Sequence, residues 1–449
     1  MNDAPRATLT APIPVRLRRP PPRDLQRRVR ATISAFGPRV GPLLLRKGAG
    51  REVPDAALAR QVRRAFQQLG ATYVKFGQVV ASAPGVFGPE VADEFRRLLD
   101  AGRPVAFERI RSVIEAATGE PLEVTFSSID PEPIGRASIA VVHRATTADG
   151  REVAVKVTRP GIRRKVANDL EIMGWLLPRL AGRVVGGDAS LVEPIVTGLR
   201  QQLAEELDLR NEAATMMHFR EELRHEALPL VVLPEVVFAS ERVLMMEFLD
   251  GVAIDDLDGV AAYGFDPRPI VTEVVKAWFL TAVRDGVFHG DVHAGNLLLL
   301  RDGRVGVLDW GIVGRLSPDT HQHLRDIIAA ALGDEEAWVR VTDRVIALIG
   351  PLLESRMGLA PEQMPAFVRG IVEPLLTQPF GEVQLSSLFM SPEGAERRGP
   401  GLDADTEFDR GMFLLVKQLL YFERYGKMYL SDVSLVSDRA FFESLLAPL

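Results

Sequence analysis

Residues 286–311 read Gly-Val-Phe-His-Gly-Asp-Val-His-Ala-Gly-Asn-Leu-Leu-Leu-Leu-Arg-Asp-Gly-Arg-Val-Gly-Val-Leu-Asp-Trp-Gly, and the spacing of their polar side chains decides the fold. Asp291 and Asn296 stand close together in a small-residue loop. Leu297–Leu300 and Val305–Leu308 are short apolar runs around Arg301-Asp302-Gly303-Arg304, and an Asp-Gly pair between two such runs is a hairpin signal. A hairpin here returns Asp309 to the side of Asn296. Oxygen donors converging in that way suit magnesium, which takes few protein ligands and completes its shell with phosphate and water.

The order His289, Asp291, Asn296, then Asp309-Trp310-Gly311 follows a phosphoryl-transfer pattern. In a catalytic loop of the form H-R-D-x-x-x-x-N the Asp orients the attacking hydroxyl and the Asn binds metal, and a later Asp before Gly holds the metal bridging the phosphates. Asp291 is therefore the catalytic candidate, and Asn296 and Asp309 are the magnesium candidates. Two other readings compete. Asp291 and Asn296 are common turn residues, and His289-x-Asp291-x-His293 imitates the ligand cluster of a metal hydrolase. The hydrolase reading gives Asn296 and Asp309 no role, and the other histidines form no second ligand group of recognisable spacing.

The 449 residues are 47% hydrophobic and 25% charged, an ordinary globular composition long enough for more than one core. There are 0 Cys, which removes disulfides, zinc thiolates and cysteine nucleophiles and suits a reducing compartment. A net charge of −6 argues against a chain built to coat nucleic acid. The first fifty residues run against that average. Arg16, Arg18, Arg19, Arg23, Arg27, Arg28, Arg30, Arg39, Arg46 and Lys47 face only Asp3 and Asp24, with Pro20-Pro21-Pro22 opposing an early helix. Residues 1–54 read as a basic, Pro/Arg-rich disordered tail, with a transit peptide or a contact to anionic membrane as alternatives. No apolar run approaches the eighteen or so residues of a spanning helix, so the expectation is a cytoplasmic protein with at most peripheral membrane contact.

Upstream, 55–69, the stretch from Gly70 to Gln78, and 89–118 have helical spacing. The period becomes that of strands at Ile139–Ala145 and Glu152–Val157, joined through Asp149-Gly150. Val153-Ala154-Val155-Lys156 matches the V-A-I-K strand whose lysine pairs the phosphates. Ahead of it, Gly135-Arg136-Ala137-Ser138 takes the place of a glycine-rich loop, with Ala137 restricting the backbone more than glycine does. Over 189–222, Leu199, Leu203, Leu207, Ala214 and Met217 form one helical stripe, with Glu206 at its edge and Glu205 nearly opposite. Glu206 is thereby the candidate partner of Lys156. Strands follow at 231–233, 236–238 and 242–248, and Glu247–Gly251 reads as the hinge, with Glu247 beside the nucleotide. Helices are expected over 267–284, 318–332, 335–349, 361–377 and 411–425, and a Gly/Pro/Ser-rich mobile loop over 378–401.

Lys75-x-Gly77-Gln78, Ala137-Ser138, Val153-Ala-Val-Lys156, Glu206-Leu207-Asp208 and His289-x-Asp291-x-His293-x-Gly295-Asn296, in this order, resemble the UbiB family of atypical protein-kinase-like proteins. The resemblance covers roughly 55 to 430. It implies an α+β, two-lobed kinase-like fold with a helical N-terminal extension packed over the active site. In that scheme Lys75 and Gln78 enter the nucleotide site opposite Glu206 and Asp208, with Lys75 in reach of Glu206, Asp208 or Glu212. Ala137, Ser138, Lys156 and Glu247 contact ATP, and Mg2+ is the metal. The implied domains are 1–54, a helical extension 55–120, a small lobe 121–250 and a large lobe 251–449.

The same resemblance implies ATP binding and hydrolysis in isoprenoid-quinone or lipid metabolism, with little protein kinase activity. Its partners would be a nucleotide, a quinone intermediate or lipid, and an anionic membrane surface. Departures from the family's pattern are Gly135-Arg136 in place of the first alanines of its Ala-Ala-Ala-Ser loop, Val141 for Gln and Val292 for Pro. Alternatives are a small-molecule phosphotransferase similar to the aminoglycoside and choline kinases, against which Lys75-x-Gly77-Gln78 counts, and a nucleotide-gated scaffold that binds lipid.

Overall fold

The computed structural model describes residues 11–81, 88–98, 102, 104–184, 192–225, 228–383, 410–434 and 436–447. They form two compact units, and the chain crosses between them at Phe219–Arg220, at Leu233–Pro234 and at Phe248–Leu249, the last inside the segment read as a hinge.

The first unit opens with helices α1 (Pro22–Gly48), α2 (Asp55–Leu69), α3 (Ala71–Ala81) and α4 (Pro89–Arg96). The reading of 1–54 as a disordered tail is corrected for α1. Pro22 starts that helix instead of preventing it, because a proline at the first position gives up no intrahelical N–H bond. Burial of Ala35 and Val40 and an ion pair from Arg28 to the buried Asp169 then hold α1 on the unit. Phe66 is the hub of the helical core, with Phe36, Tyr73, Phe76 and Phe95 around it. Gly77 is a packing residue: a Cβ there would run into Leu98 and lie 2.9 Å from Phe95.

After α5 (Phe107–Thr118) and the single turn α6 (Leu122–Thr125), β1 (Phe126–Ile129), β2 (Gly135–Arg136), β3 (Ala140–Thr147) and β4 (Glu152–Thr158) start an antiparallel sheet. Its order is β1-β3-β4-β7-β6, with β2 on β3, where β6 is Val236–Ala239 and β7 is Val243–Glu247. Strand alternation puts Val153, Val155 and Val157 into the core under Ile110, Ile114 and Phe126, so Lys156 faces the other side. β4 lies between β3 and β7, which makes Lys156 a central-strand residue opposite Val142 and Leu244.

Helices α7 (Ile162–Val184), α8 (Val192–Glu206) and α9 (Leu209–His225) follow. The single helical stripe expected over 189–222 is thereby corrected. The helix stops at Glu206, and Asp208 restarts it by accepting the Arg210 N–H at 3.1 Å, as N-cap aspartates do. The phase changes across the break, which leaves Met217 exposed.

In the second unit β5 (Val231–Val232) joins β8 (Gly251–Ala253), β10 (Leu297–Leu300) and β11 (Val305–Val307) in the order β5-β11-β10-β8. Residues 231–233 therefore do not belong to the small-lobe sheet. Helix α10 (Leu257–Tyr263) leads to α11 (Pro267–Asp285), which ends where Gly286 takes a left-handed φ of 67° and hands the chain to β9 (Val287–His289). β9 pairs with β12 (Val313–Arg315). Helices α12 (Pro318–Ala331), α13 (Glu335–Met357), α14 (Met364–Thr377), α15 (Arg410–Tyr429) and α16 (Arg439–Leu446) complete the unit. Trp278 on α11 is their hub, with its ring against Phe279, Phe288 and Phe422. The loop expected over 378–401 lies outside the described residues beyond 383. Among the described residues no helix is long and apolar enough to cross a membrane.

Candidate functional site

The second unit carries the 286–311 motif. β10 and β11 pair as Leu297↔Val307, Leu298↔Gly306 and Leu299↔Val305, and Gly303 turns the hairpin at φ 84°. The Leu308 N–H then donates to the Asn296 carbonyl at 2.8 Å, which brings Asp309 beside Asn296. Asp309 has a φ of 54°, the only positive value outside glycine among the described residues. Such a backbone costs an L-residue about 1–2 kcal/mol and concentrates at functional sites.

Each loop residue is fixed by its neighbours. The Asn296 side-chain amide donates to the Asp291 carbonyl at 3.0 Å, which leaves its Oδ1 without a protein partner among the described residues. That geometry fits a magnesium ligand, as does an adjacent aspartate. Nδ1 of His289 accepts the Asp291 N–H at 3.0 Å and its Nε2 faces the Leu308 carbonyl at 3.2 Å. Both ring nitrogens are thus occupied, and full burial pushes the imidazole down from its ordinary range, keeping it neutral. His293 accepts the Gly295 N–H at 3.0 Å. The hydrolase alternative fails on this geometry: among the described residues no group of three His, Cys, Asp or Glu could hold a metal.

Two residues of α15 complete the loop, and nothing local in the sequence announces them. Gln418, 0% exposed, accepts the Val292 N–H at 2.8 Å and donates to the Val292 carbonyl at 3.1 Å. Val292 stands where the resemblance puts Pro, so this chain has an N–H to satisfy there and a side chain that satisfies it. Lys417 places Nζ 2.6 Å from Asp291 Oδ1.

The first unit holds the other candidates. Lys156 Nζ lies 2.8 Å from Glu212 Oε1, so the assignment of Glu206 to Lys156 is corrected. Glu206 instead takes Lys75 at 3.1 Å and the Gln202 amide at 2.8 Å. The break at Asp208 is the cause, because it ends α8 at Glu206 and presents Glu212 from the first turns of α9. The N-cap signature of Asp208 was the signal available in the sequence. Asp208 also pairs with Arg210 through both carboxylate oxygens, at 2.9 and 2.6 Å. Burial pushes its carboxyl up, and the Arg210 side-chain and backbone bonds outweigh that and hold it below the usual range. Of the acids in reach of Lys75 by sequence, Asp208 is therefore engaged elsewhere. Gln78 follows Lys75 by one turn of α3 and is half-buried.

Ala137 and Ser138 form the turn between β2 and β3, where the Ala137 N–H donates to Ala140 at 3.1 Å and Arg159 donates to the Ala137 carbonyl at 2.9 Å. Ser138 Oγ is buried with no partner among the described residues, as a hydroxyl kept for a phosphate oxygen would be. Glu247 ends β7 with an exposed side chain that accepts the Glu235 N–H at 3.2 Å.

The sequence pattern of the ABC1 atypical kinase-like domain matches residues 97–342. The chain belongs to that family. Relatives agree with it. An uncharacterized Mycobacterium tuberculosis protein is 34% identical over 385 residues, covering 84% of this chain and 76% of its own. A chloroplastic aarF domain-containing protein kinase of Arabidopsis thaliana is 33% identical over 409 residues, covering 84% and 73%. A probable protein kinase UbiB of Xylella fastidiosa is 29% identical over 384 residues, covering 84% and 67%. Among solved structures, the complex of Rv3197 with erythromycin from Mycobacterium tuberculosis is similar over 80% of this chain and 88% of that one, at 24% identity and a TM-score of 0.48. The ABC1 match spans Lys156, Asp291, Asn296 and Asp309, and Lys75 lies before it.

Proposed function

We propose that the protein is an atypical kinase that binds Mg-ATP and transfers the γ-phosphoryl group to water or to a small acceptor. The observation that carries the reading is the Asn296–Asp309 juxtaposition, with an amide oxygen that has no partner among the described residues on one and a left-handed backbone on the other. When bound, magnesium would neutralise charge on the phosphates. Asp291 would take the proton of the acceptor hydroxyl as the new P–O bond forms and the bond to the β-phosphate oxygen breaks, its electron pair leaving with ADP. Lys156 would hold the phosphates, and Ser138 would donate to one of their oxygens.

One feature separates this reading from a small-molecule phosphotransferase of the aminoglycoside type. The Lys75–Glu206 pair ties the K-x-G-Q helix to α8, which the aminoglycoside-kinase alternative leaves unexplained. An acceptor in isoprenoid-quinone or lipid metabolism is what the motif resemblance to the UbiB family implies, while the Arabidopsis thaliana and Xylella fastidiosa relatives are named as protein kinases. Peripheral contact with anionic membrane is part of this proposal, supported by the arginines of α1 and its exposed Ile33 (63%) and Leu45 (77%).

The test is purified protein with γ-labelled ATP and magnesium, with and without anionic liposomes and quinone precursors. Label appearing as free phosphate or on the small acceptor is expected. Label on neither, together with no nucleotide binding, would overturn the reading.

A further inference from the structure

A transferring phosphoryl group spreads negative charge over its equatorial oxygens, and kinases meet it with fixed cations. The loop His289–Asn296 contains no Lys or Arg. Its histidines are not permanent cations: His289 is buried with both ring nitrogens engaged, and His293 accepts the Gly295 N–H at Nδ1 with Nε2 3.8 Å from Asp291 Oδ2.

The same unit brings a cation to that point from far along the chain. Lys417 on α15 donates to Asp291 Oδ1 at 2.6 Å, with its side chain 18% exposed. Its ammonium has further N–H donors, and among the described residues Asp291 is its hydrogen-bond acceptor. Tyr421, one turn on, places its ring 5.8 Å from Nζ. Gln418, the next residue, grips both backbone groups of Val292. The helix is therefore locked to the catalytic loop by one residue while the residue before it reaches the carboxylate. An incidental surface pair would not need that register.

We propose that Lys417 is the catalytic-loop cation of this protein, supplied from the C-terminal helix: it orients Asp291 and gives its remaining N–H groups to the γ-phosphoryl oxygens. The assignment rests on the phosphoryl-transfer reading above. It predicts that Lys417 distinguishes nucleotides by their terminal phosphate, which a purely structural ion pair does not do.

The experiment measures thermal stabilisation by Mg-ATP and by Mg-ADP, and steady-state hydrolysis, for wild type, Lys417→Met and Lys417→Arg. Lys417→Met should weaken ATP binding about tenfold or more, the loss of one charge-assisted hydrogen bond, with ADP binding unchanged. Its kcat should fall about a hundredfold, as when one transition-state donor is removed. Lys417→Arg should recover part of the ATP preference. Melting without nucleotide identifies any variant that has not folded, and Lys417→Arg then carries the comparison. Equal ATP and ADP affinities relative to wild type in every folded variant would overturn the assignment. A wild-type protein that binds neither nucleotide would instead sink the phosphoryl-transfer reading itself.

Discussion

Lys156 on β4 and Glu212 on α9 form a buried ion pair at 2.8 Å, across a helix break that hands Glu206 to Lys75. Removing one partner of a buried pair leaves an uncompensated charge, at a cost of about 3–5 kcal/mol. Glu212→Gln and Lys156→Met should each lower stability by that order in chemical denaturation, and the double variant by less than their sum. Glu206→Gln should not couple to Lys156→Met. Strong coupling there would restore the pairing that helical periodicity suggested.

Arg28 reaches from α1 to Asp169, which also accepts the Thr72 hydroxyl at 2.9 Å. Thr72 precedes Lys75 by one turn of α3, so the basic N-terminal helix anchors the K-x-G-Q segment. Arg28→Met should destabilise by about 3–5 kcal/mol, by the same uncompensated-charge argument. Deleting residues 1–50 should lower the melting temperature, whereas removal of a disordered tail would leave it unchanged.

His143 is buried on β3, donating from Nδ1 to the Asp130 carbonyl at 2.8 Å, and burial pushes its pKa below the ordinary value. The unfolded chain binds a proton near pH 6.5 that the native state refuses. Stability from this group is therefore present above about pH 6.5 and lost as pH falls toward the native pKa. Melting curves should show a decline over that acidic window. His143→Gln should flatten it, and an unchanged slope would exclude His143 as a contributor.

Gln418→Leu should leave the Val292 N–H and carbonyl buried without partners, at about 1–3 kcal/mol for each group. The loss should shrink in a Val292→Pro background, where the N–H is absent. Equal losses in both backgrounds would mean that Gln418 stabilises α15 without acting through the loop.

What the sequence disclosed follows from the range of its signals. The hairpin at 297–308 and the strand carrying Lys156 are local patterns, and residues close in sequence are enough to define them. The pairing of Lys156 failed for a specific reason: periodicity counts residues through a break that Asp208 had announced as an N-cap. Lys417 and Gln418 reach the loop from 126 residues away. No periodicity or capping signal spans that distance, so only the fold brings them together. The α1 helix was misread because its arginines suggested solvation, while one of them is tied to a fully buried aspartate.

Asp309 as the principal magnesium ligand is the assignment on which the phosphoryl-transfer chemistry turns, and thermal stabilisation by Mg-ATP in wild type and Asp309→Asn measures it directly. At a hundred times its dissociation constant a nucleotide stabilises by about 2.7 kcal/mol, which a melting curve resolves. Wild type should show the shift only with magnesium present, and Asp309→Asn should lose it while keeping its melting temperature without nucleotide. A full magnesium-dependent shift in Asp309→Asn would contradict the metal site and the phosphoryl-transfer chemistry built on it.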